Sequence, residues 1–274
     1  MKWVVDTSGR FDWRPYYEKE ELDVECERII STYLENKSGK VRYPIPTDDL
    51  AVIVEQDSSD LDLYADLSRE GDDVEGLTDF FPHKKPVVRI SRHLADPGQE
   101  KRLRTTLAHE FGHIRFHKFL WDTSLPQTLT TGFTQKINRQ RLQMQRLRKE
   151  LLSDNPPIDH HRVNLSLAPQ PKRKRDNNGP RCPRTNMFDA PTFDWMEWQA
   201  SYACGAFLMP LSPLKGLVTK LLEPMEREIL PSIDSEITGK LIGSVAEFFD
   251  VSFEAAQVRL SRLDLVQVVN NLGQ

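Results

Sequence analysis

The segment Leu103–His117 reads LRTTLAHEFGHIRFH, and it lies within a longer stretch, 98–120, that we predict to be a single helix. Its apolar residues recur three or four positions apart: Leu103, Leu107, Phe111 and Ile114. That spacing lines one face of an α-helix, which a folded domain buries. The polar residues of the same segment then stand in defined positions relative to that buried face.

His109 and His113 are four positions apart with Glu110 directly after the first histidine, which is the HExxH pattern. Four helical residues separate two side chains by about 40° around the axis and about 6 Å along it. Two imidazoles so placed can reach one tetrahedral zinc ion, and the glutamate can act as a general base. We therefore predict His109 and His113 as zinc ligands and Glu110 as the catalytic base. The alternative is that His109 and His113 are ordinary surface or core residues of a helix and bind no metal.

A catalytic zinc site usually takes three protein ligands, so a third is required. Glu197 is the best candidate, because it begins an otherwise apolar helical segment that runs to Pro210. A carboxylate on a buried helix is costly unless a metal or cation compensates its charge. The alternative is an exposed glutamate in the first turn, where the helix dipole favours it.

Other polar residues near the motif are weaker candidates. His117 lies about 12 Å along the helix from His109, too far for both to bind one ion. His117 and Tyr202 are instead candidates for supporting the ligands or stabilising an oxyanion, and Tyr202 is also an ordinary core candidate. The pair His160-His161 lies in proline-rich sequence and is a poor ligand candidate. Gly112 indicates either a close approach of another segment or simple packing.

The remaining sequence predicts an α+β fold, mainly helical, with a small sheet on the HExxH helix. We expect a helix over 17–36 and strands over 50–54 and 86–90; residues 1–16 are short and mixed, and Pro15 would end any regular element there. The stretch 61–64 fits either a strand or a turn. The segment before the second strand, which contains Gly76, Pro82 and the Lys84-Lys85 pair, is interpreted as a loop.

The region 134–184 has a different composition, with 13 Lys and Arg against 4 Asp and Glu. Its first half could form a basic amphipathic helix, and its proline-rich second half has loop or disordered composition. We divide the chain into an N-terminal part over 1–120, this basic insert over 121–192, and a part over 193–274 that completes the domain.

The C-terminal part predicts a helix from Trp195 to the residues before Pro210, and two further helices over 240–272. Asp250-Val251-Ser252 separates these two, with Ser252 as the expected N-cap. Two helices joined by a short turn also resemble a helix-turn-helix. Because the second helix carries only Arg259 and Arg262, we favour packing against the rest of the domain over DNA binding.

The overall composition is ordinary for a water-soluble chain, with 28% charged residues and a net charge of −4. No apolar run has the length of a signal peptide or a membrane span. The three cysteines are far apart and form no CxxC pair, which is typical of reduced thiols. We therefore expect a cytoplasmic protein without a membrane partner.

Three segments in one order resemble the ImmA/IrrE family of metallopeptidases. Leu103–His117 is similar to its signature, and the Glu197…Met209-Pro210 segment is similar to its second motif. The stretch 245–260 resembles the segment after its peptidase helices. The resemblance implies a zincin-like fold, Glu197 as the third zinc ligand, and cleavage of a helix-turn-helix transcriptional repressor in a stress or mobile-element response.

One departure and one other class of function stay open. The 83 residues between His113 and Glu197 exceed what the family leads us to expect, and the basic insert supplies the excess. That insert could bind nucleic acid or an acidic partner, or it could be a solvated loop. The alternative function is a zinc-binding regulatory protein that binds DNA or a protein partner without proteolysis.

Overall fold

The structure, a computed structural model, describes residues 1–11, 13–71, 73–121, 181–183, 194–223 and 236–266. The helices in this part of the chain are α1 (Lys19–Ser38), α2 (Thr47–Asp57), α3 (Glu100–His117), α4 (Trp195–Leu208), α5 (Leu211–Leu222), α6 (Glu236–Phe249) and α7 (Phe253–Arg262). Two short 3-10 helices, Arg92–Ala95 and Lys118–Leu120, lie before and after α3. None of the helices within these ranges is long and apolar enough to cross a membrane.

Two small sheets complete the α+β fold. Strands β1 (Lys2–Val5) and β2 (Trp13–Tyr16) form an antiparallel pair. The larger sheet contains β3 (Asp60–Ala65), β4 (Val74–Asp79), β5 (Val87–Ser91) and β6 (Arg181–Pro183), in the order β3-β5-β4-β6. β5 is parallel to β3 and antiparallel to β4, and β6 pairs antiparallel with β4.

The strand predicted over 50–54 is wrong, because these residues lie in α2. Leu50, Ile53 and Val54 are buried at helical spacing, whereas Val52 between them is exposed. Pro46 directly precedes the helix, and two aspartates stand in its first turn, where the dipole favours them. The β-branched side chains therefore did not decide the local structure, since tertiary burial overrides β-propensity.

Three further sequence predictions differ from the structure. The predicted loop that contains Gly76 and Pro82 includes β4, most of which is buried. Pro15, which was expected to end any regular element over 1–16, lies within β2 of the β1–β2 pair, a two-stranded sheet that tolerates it. Within the proline-rich part of the insert, 181–183 form β6; the other insert residues, including the predicted basic helix, lie outside the described residues.

The other predicted elements are confirmed. Helices occur where 17–36, 98–120 and the segment before Pro210 indicated them, and the strand at 86–90 is β5. Ser252 begins α7, and its side chain accepts a hydrogen bond from the Ala255 amide at 3.1 Å. The undecided stretch 61–64 belongs to strand β3.

Helices α3 and α4 pack closely at Gly112. A Cβ at Gly112 would lie 3.1 Å from both the Cα and the carbonyl oxygen of Ala200, and 3.4 Å from the Ala203 Cβ. A glycine in mid-helix costs about 1 kcal/mol relative to alanine, and the close approach of α4 accounts for it. This contact brings the HExxH helix against the helix that begins just before Glu197.

Hydrogen bonds of two buried arginines connect the C-terminal helices to the rest of the domain. Arg259 of α7 is 1% exposed, and it donates to Asp23 of α1 at 2.6 Å and to the Met209 carbonyl at 3.2 Å. Arg104 of α3 donates to the carbonyls of Ile45, at 2.6 Å, and Asp250, at 3.2 Å. One cluster of buried apolar side chains spans the regions 1–120 and 194–266.

Candidate metal centre

Two helices supply the candidate ligands. His109 and His113 lie one turn apart on α3, and Glu197 lies in the first turn of α4. Asp194 is the N-cap of α4, where its side chain accepts a hydrogen bond from the Glu197 amide at 3.4 Å. The position of Glu197 near a helix N-terminus favours its negative charge. All three side chains are buried, with exposures of 0%, 0% and 3%.

The ligand atoms of these residues converge. The two Nε2 atoms of His109 and His113 are 3.1 Å apart. Glu197 Oε2 lies 3.3 Å from His109 Nε2, and its Oε1 lies 3.4 Å from His113 Nε2. Among the described residues, these three form the group of His, Cys, Asp and Glu side chains that is close enough to hold a metal ion.

The spacing fits a zinc ion. Zinc binds nitrogen and oxygen ligands at about 2.0–2.2 Å, so the edge of a zinc tetrahedron is about 3.3–3.6 Å. The observed separations of 3.1–3.4 Å are close to this edge. Two imidazoles and one carboxylate are also a ligand set of catalytic zinc sites, in which a fourth position is left for water. The residues present therefore fit the metal that the sequence implied.

The charge of Glu197 is kept in this buried position. Burial alone raises the pKa of this carboxyl group, but the charges of His113 and His109 and their hydrogen bonds outweigh burial and hold its pKa well below the ordinary range. Glu197 is therefore ionised at neutral pH and attracts a cation. The alternative interpretation, in which Glu197 is an exposed glutamate in the first turn of the helix, is wrong because its side chain is only 3% exposed.

Glu110 is buried between α3 and the sheet. Its Oε2 accepts a hydrogen bond from the Thr78 hydroxyl at 2.5 Å, and Thr78 lies on β4. A Cβ at Gly76 of the same strand would clash with Glu110 Oε1 and would lie 2.8 Å from the Thr106 methyl group. The strand thus fixes the position of the carboxylate of Glu110, the residue that follows His109 in sequence.

His117 contacts a ligand rather than joining the group. Its Nδ1 is 3.1 Å from Nδ1 of His113, and its Nε2 is 3.0 Å from Oε1 of Gln199. Burial first, and then the neighbouring charge of His113, lower the pKa of His117 to about 3, so the ring is neutral at pH 7. Both ring nitrogens have partners inside the protein, which favours support of His113 over stabilisation of an oxyanion.

Tyr202 lies elsewhere on α4, about 140° around the helix from Glu197. Its hydroxyl donates to Asp23 at 2.9 Å, and its ring lies 5.4 Å from the Arg259 guanidinium carbon. Burial raises its pKa, and the structure does not bring its hydroxyl to the metal group. Tyr202 therefore contributes to the α1–α4–α7 packing.

Sequence reasoning missed three residues of the site: Gly76, Thr78 and Gln199. The first two lie on β4, which was interpreted as a loop, so no signal in the sequence placed them near α3. Gln199 could have been found, because it is a polar side chain on the same apolar helix that drew attention to Glu197. It is 2% exposed and donates to the Pro15 carbonyl at 3.0 Å.

The remaining candidates stay outside the site. His160-His161 lie outside the described residues. Cys26 and Cys204 are buried free thiols, and burial raises the pKa of both, that of Cys204 to about 12. These two thiols are therefore protonated and unsuited to metal binding at neutral pH.

No family model matches the chain, and no curated protein matches it.

Proposed function

We propose that this chain is a zinc-dependent endopeptidase with a zincin-like architecture. The convergence of His109, His113 and Glu197 within hydrogen-bonding distance of one another carries the proposal. These side chains would hold the ion, and Glu110 follows the first of them on the same helix. When bound, zinc supplies Lewis acidity, which lowers the pKa of water to about 7 and polarises a carbonyl group.

Residues of the chain itself would transfer the proton and position the catalytic base. Glu110 accepts a proton from the attacking water and later gives it to the leaving amine. The Thr78 hydroxyl donates to Oε2 of Glu110 and fixes the orientation of the carboxylate, whereas Gly76 leaves room for Oε1. A base held in one position avoids the loss in rate that a misplacement of about 1 Å can cause.

The substrate class follows from the resemblance to the ImmA/IrrE family. The similar segments around His109–His117 and Glu197–Pro210 support an intracellular enzyme that cleaves a helix-turn-helix transcriptional repressor. In this proposal, cleavage switches on a stress or mobile-element response. The competing function, DNA binding through the C-terminal helices, is disfavoured by Arg259, which is buried and ion-paired with Asp23.

The decisive test compares the wild type with Glu110→Gln. Both proteins should bind about one zinc ion per chain, because Glu110 is not among the ligands. Cleavage of a repressor encoded beside the gene should fall by at least about 10²-fold, which is the usual contribution of a general base. Metal content and cleavage products, followed by mass spectrometry, are measured on the same preparations.

A ligand variant provides the matched comparison. Glu197→Gln keeps the shape of the side chain but removes its charge, so it should lose zinc and cleavage together. Retained cleavage in Glu110→Gln would contradict the role of the base. A wild-type protein that binds no zinc would contradict the whole proposal.

A further inference from the structure

The β1–β2 pair, together with residues 6–11 between its strands, forms an N-terminal hairpin that is organised around the Asp6 carboxylate. Asp6 is 7% exposed and accepts hydrogen bonds from the Ser8 amide at 2.9 Å, from the Ser8 hydroxyl at 2.7 Å and from the Phe11 amide at 3.0 Å. Bonds of this kind, from an aspartate to the backbone a few residues on, fix the shape of a connection locally. The carboxylate is therefore held in place by its own hairpin.

The hairpin uses this carboxylate to contact the first residue of α4. Asp6 Oδ1 accepts from Nε1 of Trp195 at 3.1 Å, and Trp195 is 5% exposed and two positions before Glu197. The Phe11 ring meets the Trp195 ring edge-on with centroids 6.3 Å apart, and the Arg14 guanidinium carbon lies 5.5 Å from the Trp195 centroid. The indole is thus held both by its N–H group and by its ring.

A second contact joins the hairpin to the N-cap of α4. Arg10 donates to both carboxylate oxygens of Asp194, from Nη1 at 3.0 Å and from Nη2 at 2.6 Å. Two parallel bonds of this type fix the plane of the carboxylate. The same Asp194 side chain accepts from the Glu197 amide at 3.4 Å, so it connects the hairpin to the backbone of the candidate ligand.

The contacts lie on both sides of Glu197 in sequence. Asp194 and Trp195 precede it, and Gln199, which donates to the Pro15 carbonyl at 3.0 Å, follows it. The first turn of a helix lacks some of the backbone hydrogen bonds of its interior, so a ligand there depends on groups outside the helix for a fixed position. The N-terminal hairpin supplies such groups to α4.

We propose that Asp6 and Arg10 are positioning residues, which hold the first turn of α4 so that the Glu197 carboxylate meets His109 and His113. This inference rests on the proposed zinc site, but the hold on α4 is a property of the metal-free protein. Groups that orient metal ligands typically contribute about 10–100-fold to metal affinity.

A purely structural role for the same contacts makes a different prediction. If the hairpin only covers Trp195, the loss of one hydrogen bond lowers the stability of the fold without changing the geometry around a bound ion. The experiments therefore measure the first turn of α4 and the metal geometry directly.

The first experiment is amide hydrogen exchange, followed by mass spectrometry, on the metal-free, full-length protein. Trp195→Phe keeps an aromatic ring but removes the N–H group that donates to Asp6. Residues 194–199 should exchange about 2- to 13-fold faster, which is the factor that one net hydrogen bond supplies. Exchange over 200–208, the remainder of α4, should stay as in the wild type.

Trp198→Phe is the matched control for this variant. It makes the same substitution one turn further along α4, where the Trp198 ring stacks on Tyr202 with centroids 5.6 Å apart. Exchange at the first turn and zinc affinity should both equal those of the wild type.

The second experiment measures zinc affinity by competition with a chelator and the visible absorption of the Co²⁺-loaded protein. Trp195→Phe should bind zinc about tenfold more weakly, and its Co²⁺ spectrum should change because the carboxylate moves relative to the ion. Arg10→Gln should bind zinc about two- to fivefold more weakly, since the Arg10 side chain is 47% exposed. Arg10→Lys, which still offers a cation to Asp194, should restore part of the affinity.

The outcomes separate the failure of this proposal from that of the enzymatic one. Wild-type exchange over 194–199 in Trp195→Phe, or a wild-type zinc affinity and Co²⁺ spectrum in that variant, would overturn the positioning role and leave the zinc site in place. If the wild type binds no zinc, the proposed function fails. Faster exchange confined to the first turn would then still support the hold of the hairpin on α4, and unchanged exchange would refute it.

Discussion

At the scale of single residues, the site depends on one buried carboxylate. Glu197 is 3% exposed, and an ionised carboxylate in such a position is costly unless a positive charge or several hydrogen bonds compensate it. The His109 and His113 rings, which lie 3.3 Å and 3.4 Å from the carboxylate, meet part of this requirement. A divalent cation would meet it fully, which is the physical reason to expect one there.

Gly76 offers a test at this scale. In Gly76→Ala, the added methyl group would displace Glu110 and press on Thr106. We expect unfolding stability to fall by about 1–3 kcal/mol, as for other overpacked sites. Cleavage should fall by about 10²-fold, because the base moves out of position. The variant is assayed for zinc content, cleavage rate and urea unfolding.

Zinc content separates the two effects of this substitution. The ligands lie on α3 and α4, so a folded Gly76→Ala protein should still carry zinc. Unchanged cleavage would show that Glu110 does not need the position in which β4 holds it.

At the scale of elements, the contact between α3 and α4 assembles the site. The two helices bring together candidate ligands with 83 residues between them in sequence, His113 and Glu197, and Gly112 allows the close approach of the helices. The sheet then adds Thr78 from the opposite side of α3. The packing of α4 on α3 therefore assembles the candidate ligands, and the contact of β4 with α3 positions Glu110.

Gly112→Ala tests the helix crossing. The new methyl group would meet backbone atoms of Ala200, which cannot rotate away, so α4 must shift and carry Glu197 with it. We expect zinc to bind roughly 5- to 140-fold more weakly, because the shift of Glu197 carries an overpacking cost of about 1–3 kcal/mol and each 1.4 kcal/mol is a factor of ten. Zinc affinity is measured by chelator competition.

Gly216→Ala is the matched control for this prediction. Gly216 lies on α5, and a Cβ there would meet no atom within 4 Å. This variant should keep its zinc affinity and gain up to about 1 kcal/mol of stability from helix propensity. Equal zinc affinity in the two variants would refute the role of Gly112.

At the scale of the whole molecule, buried charges join the two ends of the chain. Arg259 of α7 and Asp23 of α1 are 236 positions apart, and both are almost fully buried. Asp23 also accepts from Tyr202 of α4, so three helices meet at one carboxylate. The C-terminal helices are consequently part of the domain rather than a separate module.

Arg259→Met tests this connection. The single variant leaves Asp23 buried without its cation, and we expect a loss of about 3–5 kcal/mol in unfolding stability. The double variant Asp23→Asn with Arg259→Met removes both charges and should be more stable than the single one. Both are compared with the wild type by urea unfolding. A single variant as stable as the wild type would contradict this account.

The sequence by itself determined the features that depend on local pattern. The helical period of 98–120, the HExxH spacing, the cap at Ser252 and the cost of a charge on the apolar helix at Glu197 are all readable within one turn or one segment. Helices can be predicted from the sequence in this way because their hydrogen bonds and their buried faces repeat every few residues.

Only the tertiary structure decided the features that depend on distant partners. Residues 50–54 have the composition of a strand but pack as a helix, and β4 shows no local signal because Glu75 and Gly76 interrupt its apolar residues. Thr78 and Gly76 acquire their roles through α3, and Gln199 acquires its role through Pro15 and His117. Each of these contacts joins segments that are far apart in the chain, and their geometry is set by packing rather than by sequence period.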